Sequence, residues 1–483
     1  MVQKKQQNKK KPQVVNKPAV ETKPKQPRQL IIRLAIVAVV AIVCILYTDS
    51  KGYFLSDQQN RHHERRWESF YRMTPQDTID VVVLGNSHSF CGVNPKNLSA
   101  ALGCNCFVMA FNASTVPDAY FVLKEVLTRT TPKVVVMETF NFRNLHNHEL
   151  NPSDLSNQFR SFYPRRNFWQ KIMSMPVLFT PDNYLPAWSS TLRNHEILFR
   201  NNEEIAINLM IQEQKKIPDN RLYLGRFVRF TTGITDSVMH LYDSLGPAVD
   251  GATMDVSDEE MVYAKKIVDL CRSKGIKPLF LTVPIYYKNL KNADVWTQNL
   301  WKAIGPTQAP WLNLQTPYDT LMFDRNCFES IHSLNQHMTY QGSLITTYKL
   351  AHYIVDSLDV ALPYRANTPH WRNMFYGEEG FFENFTPDEG DRDHRIVARD
   401  TVIDGIHLID CVVDREGSVT VKIDPKTPLA SQGALTAEFV MDGKPMVATI
   451  PLSQSPLYNP IRHQLYFSSL RPDIILRKII SIR

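Results

Sequence analysis

The residues of this chain that could support nucleophilic catalysis are a serine, Ser87, and two histidines late in the chain, His332 and His337. A serine is a weak nucleophile unless a base takes its proton and hydrogen-bond donors receive the developing oxyanion. Ser87 follows residues 79–84, a short valine-rich run that is typical of a strand buried on both faces, and Gly85 permits a sharp turn between them. Reacting groups collect at the carboxyl ends of parallel strands. Ser87 is therefore either a nucleophile or part of an ordinary strand–loop junction.

Two further predicted strands end in residues that could act as donors. The strand at 106–111 runs into a turn of small residues, Asn112 to Ser114, whose backbone N–H groups could face Ser87. The strand at 133–139 is followed by Asn141, whose side-chain amide could also donate. These asparagines could equally be helix caps or turn formers. The sequence thus places candidate donors at two more strand ends.

The base is expected from segment 328–342, because a loop after the last strand can return over Ser87. His337 lies five residues before Gly342, at the predicted start of the last helix, whereas His332 has Glu329 three residues before it. A third histidine, His88, follows the serine directly and is expected to have a structural or substrate-contact role. The residues alone leave His337 and His332 as alternative bases.

The elements that must position these residues alternate along the chain. Strands are predicted at 81–84, 106–111, 133–139, 278–283 and 311–314, and helices at 95–102, 117–129, 257–274, 293–304 and 342–358. Alternation of this kind predicts an α/β fold with a parallel sheet between two layers of helices, over residues 79–362.

Two segments depart from the alternation. Residues 142–256 are rich in aromatic residues and partly helical in periodicity, which predicts an inserted, mostly helical lid over the carboxyl ends of the strands. Residues 363–483 begin as a linker and continue as short strand patterns separated by turns, which predicts an all-β, sandwich-like module. We therefore expect one α/β domain with an insertion and a second module after it.

The N-terminal residues indicate a membrane anchor. Residues 1–28 form a basic tail with nine basic residues against one acid, and residues 29–48 form an apolar stretch long enough to span a bilayer. The positive charge predicts a cytoplasmic N-terminus, with the rest of the chain outside the cytoplasm. A cleaved signal peptide is the competing interpretation, but no small-x-small cleavage pattern follows. Residues 49–78 are expected to be a juxtamembrane helix with a solvated polar face.

In these motifs the chain resembles the SGNH/GDSL hydrolase superfamily, and more closely its membrane-anchored branch, which includes the DltD family of D-alanyl transfer and the alginate O-acetylation proteins. The superfamily's first sequence block, a strand followed by Gly-x-Ser, is similar to Gly85-Asn-Ser87. Its second and third blocks resemble residues 111–114 and 134–141. The last block, a histidine followed by a glycine that opens the last helix, resembles 337–342. The resemblance covers roughly residues 79–150 and 257–358, and it favours His337 over His332.

This resemblance implies a flavodoxin-like α/β/α domain in which Ser87 attacks an acyl ester and His337 is the general base. The oxyanion would be held by the backbone of Ser87 and of 113–114 and by Asn141, so that Ser114 and Asn141 belong to the predicted site. The family's acid stands three residues before the histidine, a position that is Leu334 in this chain. A leucine side chain cannot accept a hydrogen bond from the histidine. Glu329, Asp324, a backbone carbonyl or Asn335 could orient His337 instead, or the pair could act as a dyad.

The function implied is O-acylation or deacylation of a cell-envelope polysaccharide at the bacterial inner membrane, with acyl groups supplied by a multi-spanning membrane O-acyltransferase. The alternative is a non-catalytic SGNH-like scaffold or polymer-binding protein, which the missing acid at position 334 favours. No metal or nucleotide motif is found in the sequence, so neither metal nor cofactor is expected. Nucleic-acid binding through the basic tail is not expected either, because of the adjoining membrane segment.

Overall fold

The computed structural model describes fourteen stretches of the chain. These are 27–54, 62–73, 78–143, 150–200, 222–223, 225–227, 233–316, 323–365, 394–414, 418–424, 434–441, 444–451, 464–468 and 475–482. The first contains helix α1, Pro27–Lys51. The most apolar part of its stretch Gln29–Lys51 has a mean hydropathy of 2.9, and none of the residues in that part are buried. It is one helix long and apolar enough to cross a membrane, a test that a signal sequence would also pass.

The central element is a five-stranded parallel sheet flanked by helices, as the alternation predicted. Its strands are β1 Val81–Gly85, β2 Cys106–Ala110, β3 Val134–Glu138, β7 Lys277–Thr282 and β9 Trp311–Asn313. They lie in the order β2-β1-β3-β7-β9. The chain leaves β1 in one direction to reach β2 and then crosses to the other side for β3, so the carboxyl end of β1 lies at a topological switch point, where open sheets bind ligands.

Helices pack on both faces of this sheet. They are α3 Ser87–Gly92, α4 Pro95–Leu102, α5 Val116–Val126, α12 Asp258–Ser273, α13 Ala293–Ile304 and α14 Tyr340–Ser357. Alternate strand residues belong to two separate cores: Val82 and Leu84 to the core with α5, α12 and α13, and Val81 and Val83 to the core with α3, α4 and α14. Because the sheet is covered on both faces, the middle residues of its strands are apolar on both sides.

Local signals fix where several of these helices begin and end. Asn94 caps α4 through the backbone of Lys96 and Asn97, with Pro95 in the first turn. Ser257 and Glu260 form a reciprocal capping box at the start of α12, and Gly275 follows that helix with a φ of 70°. These caps fix where the helices begin and end, and the helices bring the chain back to the edge of the sheet where the next parallel strand begins.

Helix α2, His62–Met73, differs from the predicted solvated juxtamembrane helix. Trp67 and Phe70 are fully buried in the core with α5, and the ring of Trp67 stacks on Phe111 at a centroid distance of 5.4 Å. Arg66 is buried as well and donates to the carbonyl oxygens of Gly225 and Ala110. The prediction weighed the charges of the segment and overlooked aromatic residues at helical spacing, which determine its buried face.

The insertion between β3 and α12 is partly helical. It contains α6 Pro152–Phe162, α7 Phe168–Leu178, α8 Tyr184–Trp188, α9 Ser190–Asn194, α10 Ile197–Arg200, β4 Leu222–Tyr223, β5 Arg226–Phe227, α11 Asp236–Leu245 and β6 Val249–Asp250. Phe159, Phe162 and Phe179 are buried in the same core as α5. The first half of the insertion therefore packs onto the α/β domain instead of standing apart from it.

The remaining strands that the structure describes are β8 Leu290–Lys291, within the α/β domain, and seven strands nearer the C-terminus. After β7 in the chain, the strand β8 pairs with β6 in a separate two-stranded sheet. Toward the C-terminus, one antiparallel sheet contains β10 His394–Ile403, β11 Ile406–Asp414, β12 Ser418–Ile423 and β15 Gln464–Ser468, and a second contains β13 Ala434–Met441, β14 Lys444–Pro451 and β16 Ile475–Ile482. Leu408, Val421, Leu435 and Leu476 of these strands share one apolar core.

Candidate active site

Ser87 is the first residue of α3 and directly follows the turn at the end of β1. Gly85 has a φ of 136°, which favours glycine, and a side chain there would overlap Ser89. Asn86 caps the helix: its side-chain oxygen accepts from the backbone N–H of His88 at 2.8 Å. The serine is thus held at the carboxyl end of the strand at the switch point, as the sequence predicted for a reacting group.

His337 contacts this serine directly. Its Nε2 lies 2.8 Å from Ser87 Oγ, and its Nδ1 lies 3.2 Å from Glu329 Oε2. The side chains of Glu329 and His337 are 5% and 12% exposed. A carboxylate at Nδ1 fixes the tautomer in which Nε2 is free to accept the serine proton. Ser87, His337 and Glu329 therefore form a hydrogen-bonded triad.

The pairing of His337 with Glu329 arises from a hairpin-like turn. The Glu329 N–H donates to the His337 carbonyl at 2.9 Å, the Thr339 N–H donates to the Cys327 carbonyl at 3.0 Å, and Phe328 pairs with Met338. This register sets Glu329 opposite His337 although eight positions separate them in the chain. Gly342 allows α14 to begin here, because a side chain at that position would overlap the carbonyl of Cys327.

The other proposed partners of the histidine lie elsewhere. Asp324 caps the short 3₁₀ turn Arg325–Cys327, with its Oδ1 accepting from Asn326 N at 2.8 Å. Asn335 and Leu334 are exposed on the wall of the cavity described below. Of the acids weighed from the sequence, the structure brings Glu329 to the histidine, but as the partner of His337 and not of His332.

His332 does not reach Ser87. Its Nε2 lies 2.7 Å from the carbonyl oxygen of Gly246, and its ring packs beside Tyr242 at a centroid distance of 5.2 Å. The spacing of three between Glu329 and His332 would bring them together in a helical turn, whereas this segment forms the hairpin-like turn. His332 as the alternative base is therefore a wrong prediction.

Ser114 is also turned away from the site. Its hydroxyl donates to Asp118 Oδ2 at 2.8 Å and its N–H donates to the Phe111 carbonyl at 3.1 Å. Asp118 further accepts from Ser161 at 3.0 Å and pairs with Arg165. The predicted place of Ser114 in the site is wrong, because the serine belongs to a buried ion-pair network. Its neighbours Asn112 and Ala113 line the cavity, and Ala113 has a φ of 50°.

Asn141 lies behind the serine turn. It is fully buried, and its Oδ1 accepts a hydrogen bond from the side-chain amide of Asn86. Within the described part of the chain, Asn141 Nδ2 has no hydrogen-bond partner. The sequence did not single out Asn86, although its place between Gly85 and Ser87, at the start of a helix, was the signal for a cap.

Burial makes the ring of His88, the residue after Ser87, a weaker base than an ordinary histidine. It is buried and stacks on Phe140 with ring centroids 3.5 Å apart. Burial, with further contributions from His337 and Arg143, holds the pKa of His88 well below its ordinary value. A neutral, stacked ring in this position supports the serine turn from below, in line with the structural role expected for it.

A cavity of about 890 Å³ opens beside the serine. The α/β domain supplies Ser87, His337, Phe90 and Phe140, together with Asn112 and Ala113, to its wall. The insertion supplies Arg143, Asn151, Ser153, Asp154, Asn157 and Ala248 to Asp250, with Thr253 and Met254. Many of these side chains are amides, hydroxyls or charged groups, so the cavity suits a polar ligand with several hydrogen-bonding groups.

Two buried ionisable groups lie next to Phe140 in this wall. Arg143 packs over the ring of Phe140 at 4.6 Å, and burial lowers the pKa of its guanidinium. Glu138 ends β3, where its Oε1 accepts from Phe140 N at 2.8 Å, and burial raises the pKa of this carboxyl to about 8. The Glu138 carboxyl is therefore mostly protonated at neutral pH.

Two further comparisons concern possible metal-binding groups and similar proteins. Among the residues that the structure describes, no group of three histidine, cysteine or acidic side chains could hold a metal ion. No protein-family model and no curated protein sequence matches the chain.

Proposed function

We propose that this chain is an extracytoplasmic, membrane-anchored serine acyltransferase or esterase that acts on a cell-envelope polysaccharide through an acyl-serine intermediate. The observation that carries the proposal is the hydrogen-bonded triad of Glu329, His337 and Ser87, at the carboxyl end of β1 and open to a polar cavity. Nucleophile, base and orienting carboxylate within hydrogen-bonding reach are the requirements for acyl transfer through serine.

In the proposed mechanism, Ser87 Oγ attacks the carbonyl carbon of an acyl ester while His337 Nε2 takes the serine proton. Glu329 stabilises the imidazolium that forms. The tetrahedral intermediate collapses, and His337 returns the proton to the leaving alcohol. A sugar hydroxyl or water then loses its proton to His337 and attacks the acyl-serine, which releases the product and restores Ser87.

The oxyanion would be received by backbone N–H groups at two strand ends. Ser87 begins α3, so its N–H has no partner within that helix. The second donor would come from the turn at Asn112 and Ala113, which lines the cavity. The amide of Asn141 would hold Asn86, and through it the serine turn, in place.

Several finer features belong to the same proposal. The strand order supports a flavodoxin-like SGNH domain, with 142–256 as a lid and the C-terminal strands as a sandwich-like module. The resemblance suggests a bacterial inner-membrane protein with a cytoplasmic N-terminus, and a multi-spanning membrane O-acyltransferase as the source of acyl groups. The polar wall of the cavity supports a polysaccharide as acceptor or substrate.

The case for a non-catalytic scaffold depended on Leu334 at the position of the family's acid. Glu329 supplies a carboxylate to His337 from a different position, so this argument loses its force. Catalysis is therefore the function that the geometry supports better.

The test is labelling of the full-length protein with a fluorophosphonate, which reacts with activated serines. We expect the wild type to be labelled, Ser87→Ala to be unlabelled, and Ser153→Ala to be labelled normally, since Ser153 lines the same cavity without a histidine partner. Absence of labelling in the wild type, together with unchanged behaviour of Ser87→Ala in cells, would overturn the enzymatic proposal.

A further inference from the structure

Helix α7, in the insertion, has an apolar side that is exposed. The residues on its outward side are all apolar and exposed: Phe168, Trp169, Ile172, Met173 and Pro176. The inward side packs Leu178 into the core and also buries Lys171 and Ser174. A surface helix normally buries its apolar stripe and exposes its charges. We call the five exposed residues the α7 face.

The orientation of α7 is held by specific contacts of the buried lysine. Lys171 Nζ donates to the Tyr163 carbonyl at 2.9 Å and lies 4.8 Å from the ring centre of Trp188 and 5.1 Å from that of Phe162. Cation–π contacts and a carbonyl acceptor replace the water that the ammonium loses. The orientation of α7 is therefore built into the packing of the insertion, and the α7 face is its outer surface.

The α7 face is larger and more aromatic than scattered surface residues. Trp169 is 71% exposed, Met173 62% and Phe168 53%. On the neighbouring α8, Leu185 is 67% exposed, and α8 contacts α7 through the edge-to-face pair of Trp188 and Phe168, with ring centroids 5.6 Å apart. A contiguous exposed apolar surface of this kind marks an interaction site.

The same part of the insertion is fastened to the C-terminal end of α1. Thr48 Oγ1 lies 2.8 Å from Thr191 Oγ1, and Asp49 Oδ1 accepts from Ser190 Oγ and from Thr191 N, each at 2.8 Å. Asn194 Nδ2 donates to the Phe54 carbonyl at 2.8 Å. Helix α9, which makes these contacts, follows α8 after Ser189 alone. The insertion is thus held at the point where the apolar stretch of α1 ends.

We propose that the α7 face lies in the interfacial layer of the bilayer leaflet from which the C-terminal end of α1 emerges. Tryptophan and phenylalanine are favoured at that depth, and a helix with one apolar side binds there with its axis in the membrane plane. The attachment of α9 to α1 keeps the insertion at the membrane surface. The occupant of the α7 face is therefore lipid, and the domain rests against the bilayer as well as being tethered to it. This inference rests on the proposed membrane anchor and does not depend on the proposed catalysis.

The test uses the full-length protein in phosphatidylcholine nanodiscs, with Cys44→Ser to remove the exposed cysteine and Met173→Cys to attach an environment-sensitive NBD fluorophore. The quencher is a phosphatidylcholine with a doxyl group near the head-group end of its acyl chain. We expect the label at 173 to be quenched by this lipid, because its side chain lies in the interfacial layer. The control is Val262→Cys on α12, 50% exposed, whose label should not be quenched.

A second variant tests the cause of the quenching. Trp169→Glu in the Met173→Cys protein adds a charge to an exposed site, so it should leave the fold intact, and it should remove most of the lipid quenching. Equal responses at 173 and 262 would overturn the proposal. So would a change in the NBD fluorescence at 173 that is absent from pure lipid nanodiscs and appears only in native membranes, which would assign the α7 face to a membrane-protein partner.

Discussion

Two clusters in this molecule combine a serine with a buried carboxylate, and their surroundings differ. In the first, Glu329 orients His337, and the histidine meets Ser87 at the wall of a cavity. In the second, Asp118 accepts from Ser114 and pairs with Arg165, and the side chains of the ion pair are 0% and 1% exposed. Proton transfer needs an ionisable base between acid and serine, and a substrate needs access; the second cluster offers neither.

The comparison separates two uses of the same residue types. A carboxylate beside a permanently charged arginine stabilises a buried pair, and losing either partner leaves an uncompensated charge. A carboxylate beside a histidine can support a charge that appears only during a reaction. Substitutions in the first cluster should therefore change rates, and substitutions in the second should change stability.

The largest expected effect is on the rate of the first cluster. Replacing His337 with alanine removes the base, so hydrolysis of p-nitrophenyl acetate by the purified full-length protein should fall by about 10³–10⁴-fold. The matched control is His332→Ala, which removes the other histidine of the segment and should hydrolyse the ester at the wild-type rate. A comparable loss in both variants would show that the whole segment, and not the base, was disturbed.

Next comes the stability of the second cluster. Asp118→Ala leaves Arg165 buried without its carboxylate, so the free energy of unfolding should fall by about 3–5 kcal/mol. Chemical denaturation followed by circular dichroism measures it. Ser114→Ala removes one neutral donor and should cost only about 1 kcal/mol. Normal stability of Asp118→Ala, combined with lost esterase activity, would move this cluster into the catalytic site.

A smaller effect on the rate is expected when Glu329 is replaced, and none when Asp324, the other acid of its segment, is replaced. Glu329→Gln keeps the shape of the side chain but removes the charge that supports the imidazolium, so kcat should fall by about 10²-fold with KM little changed. Asp324→Asn is the control, since Asp324 caps a short turn. If kcat were unchanged in Glu329→Gln, the serine and histidine would work as a dyad.

The smallest effect concerns the buried carboxyl of Glu138 and depends on pH. Its pKa is about 8 in the folded protein against an ordinary value of 4.5, so between these pH values the folded state binds the extra proton. Stability of the wild type should therefore decrease as the pH rises through this window. Glu138→Gln removes this decrease, so its stability relative to the wild type should rise as the pH increases from 5 to 8. Parallel stability curves for the two proteins between pH 5 and 8 would exclude a buried, protonated Glu138.

Much of the sheet could be predicted from the sequence, because each strand is a short apolar run ending at a turn residue. The positions of β1, β2, β3, β7 and β9 agree with the prediction to within about one residue at most ends. Ser87 could be found for the same reason, since it lies at the boundary of an element, whereas His337 was preferred to His332 only through the family resemblance. The membrane-spanning length of α1 was equally readable from its apolar composition.

The rest depended on tertiary contacts that spacing does not encode. Glu329 reaches His337 across a hairpin-like turn, so a fixed spacing of three pointed to the wrong histidine. Ser114 bonds to Asp118, four residues on, because α5 turns its first residues inward. The wall supplied by Asn151 and Asp154 comes from an insertion whose path only the folded chain defines.

The central claim is that Ser87 forms a covalent acyl intermediate, and peptide mass spectrometry tests it most directly. The full-length protein is mixed with p-nitrophenyl acetate, quenched in acid and digested, and each serine is examined for an acetyl group. The account predicts acetylation of Ser87, absent from His337→Ala and present in His332→Ala. Hydrolysis of the ester with no acetyl group on Ser87, or with the acetyl group on another residue, would contradict it.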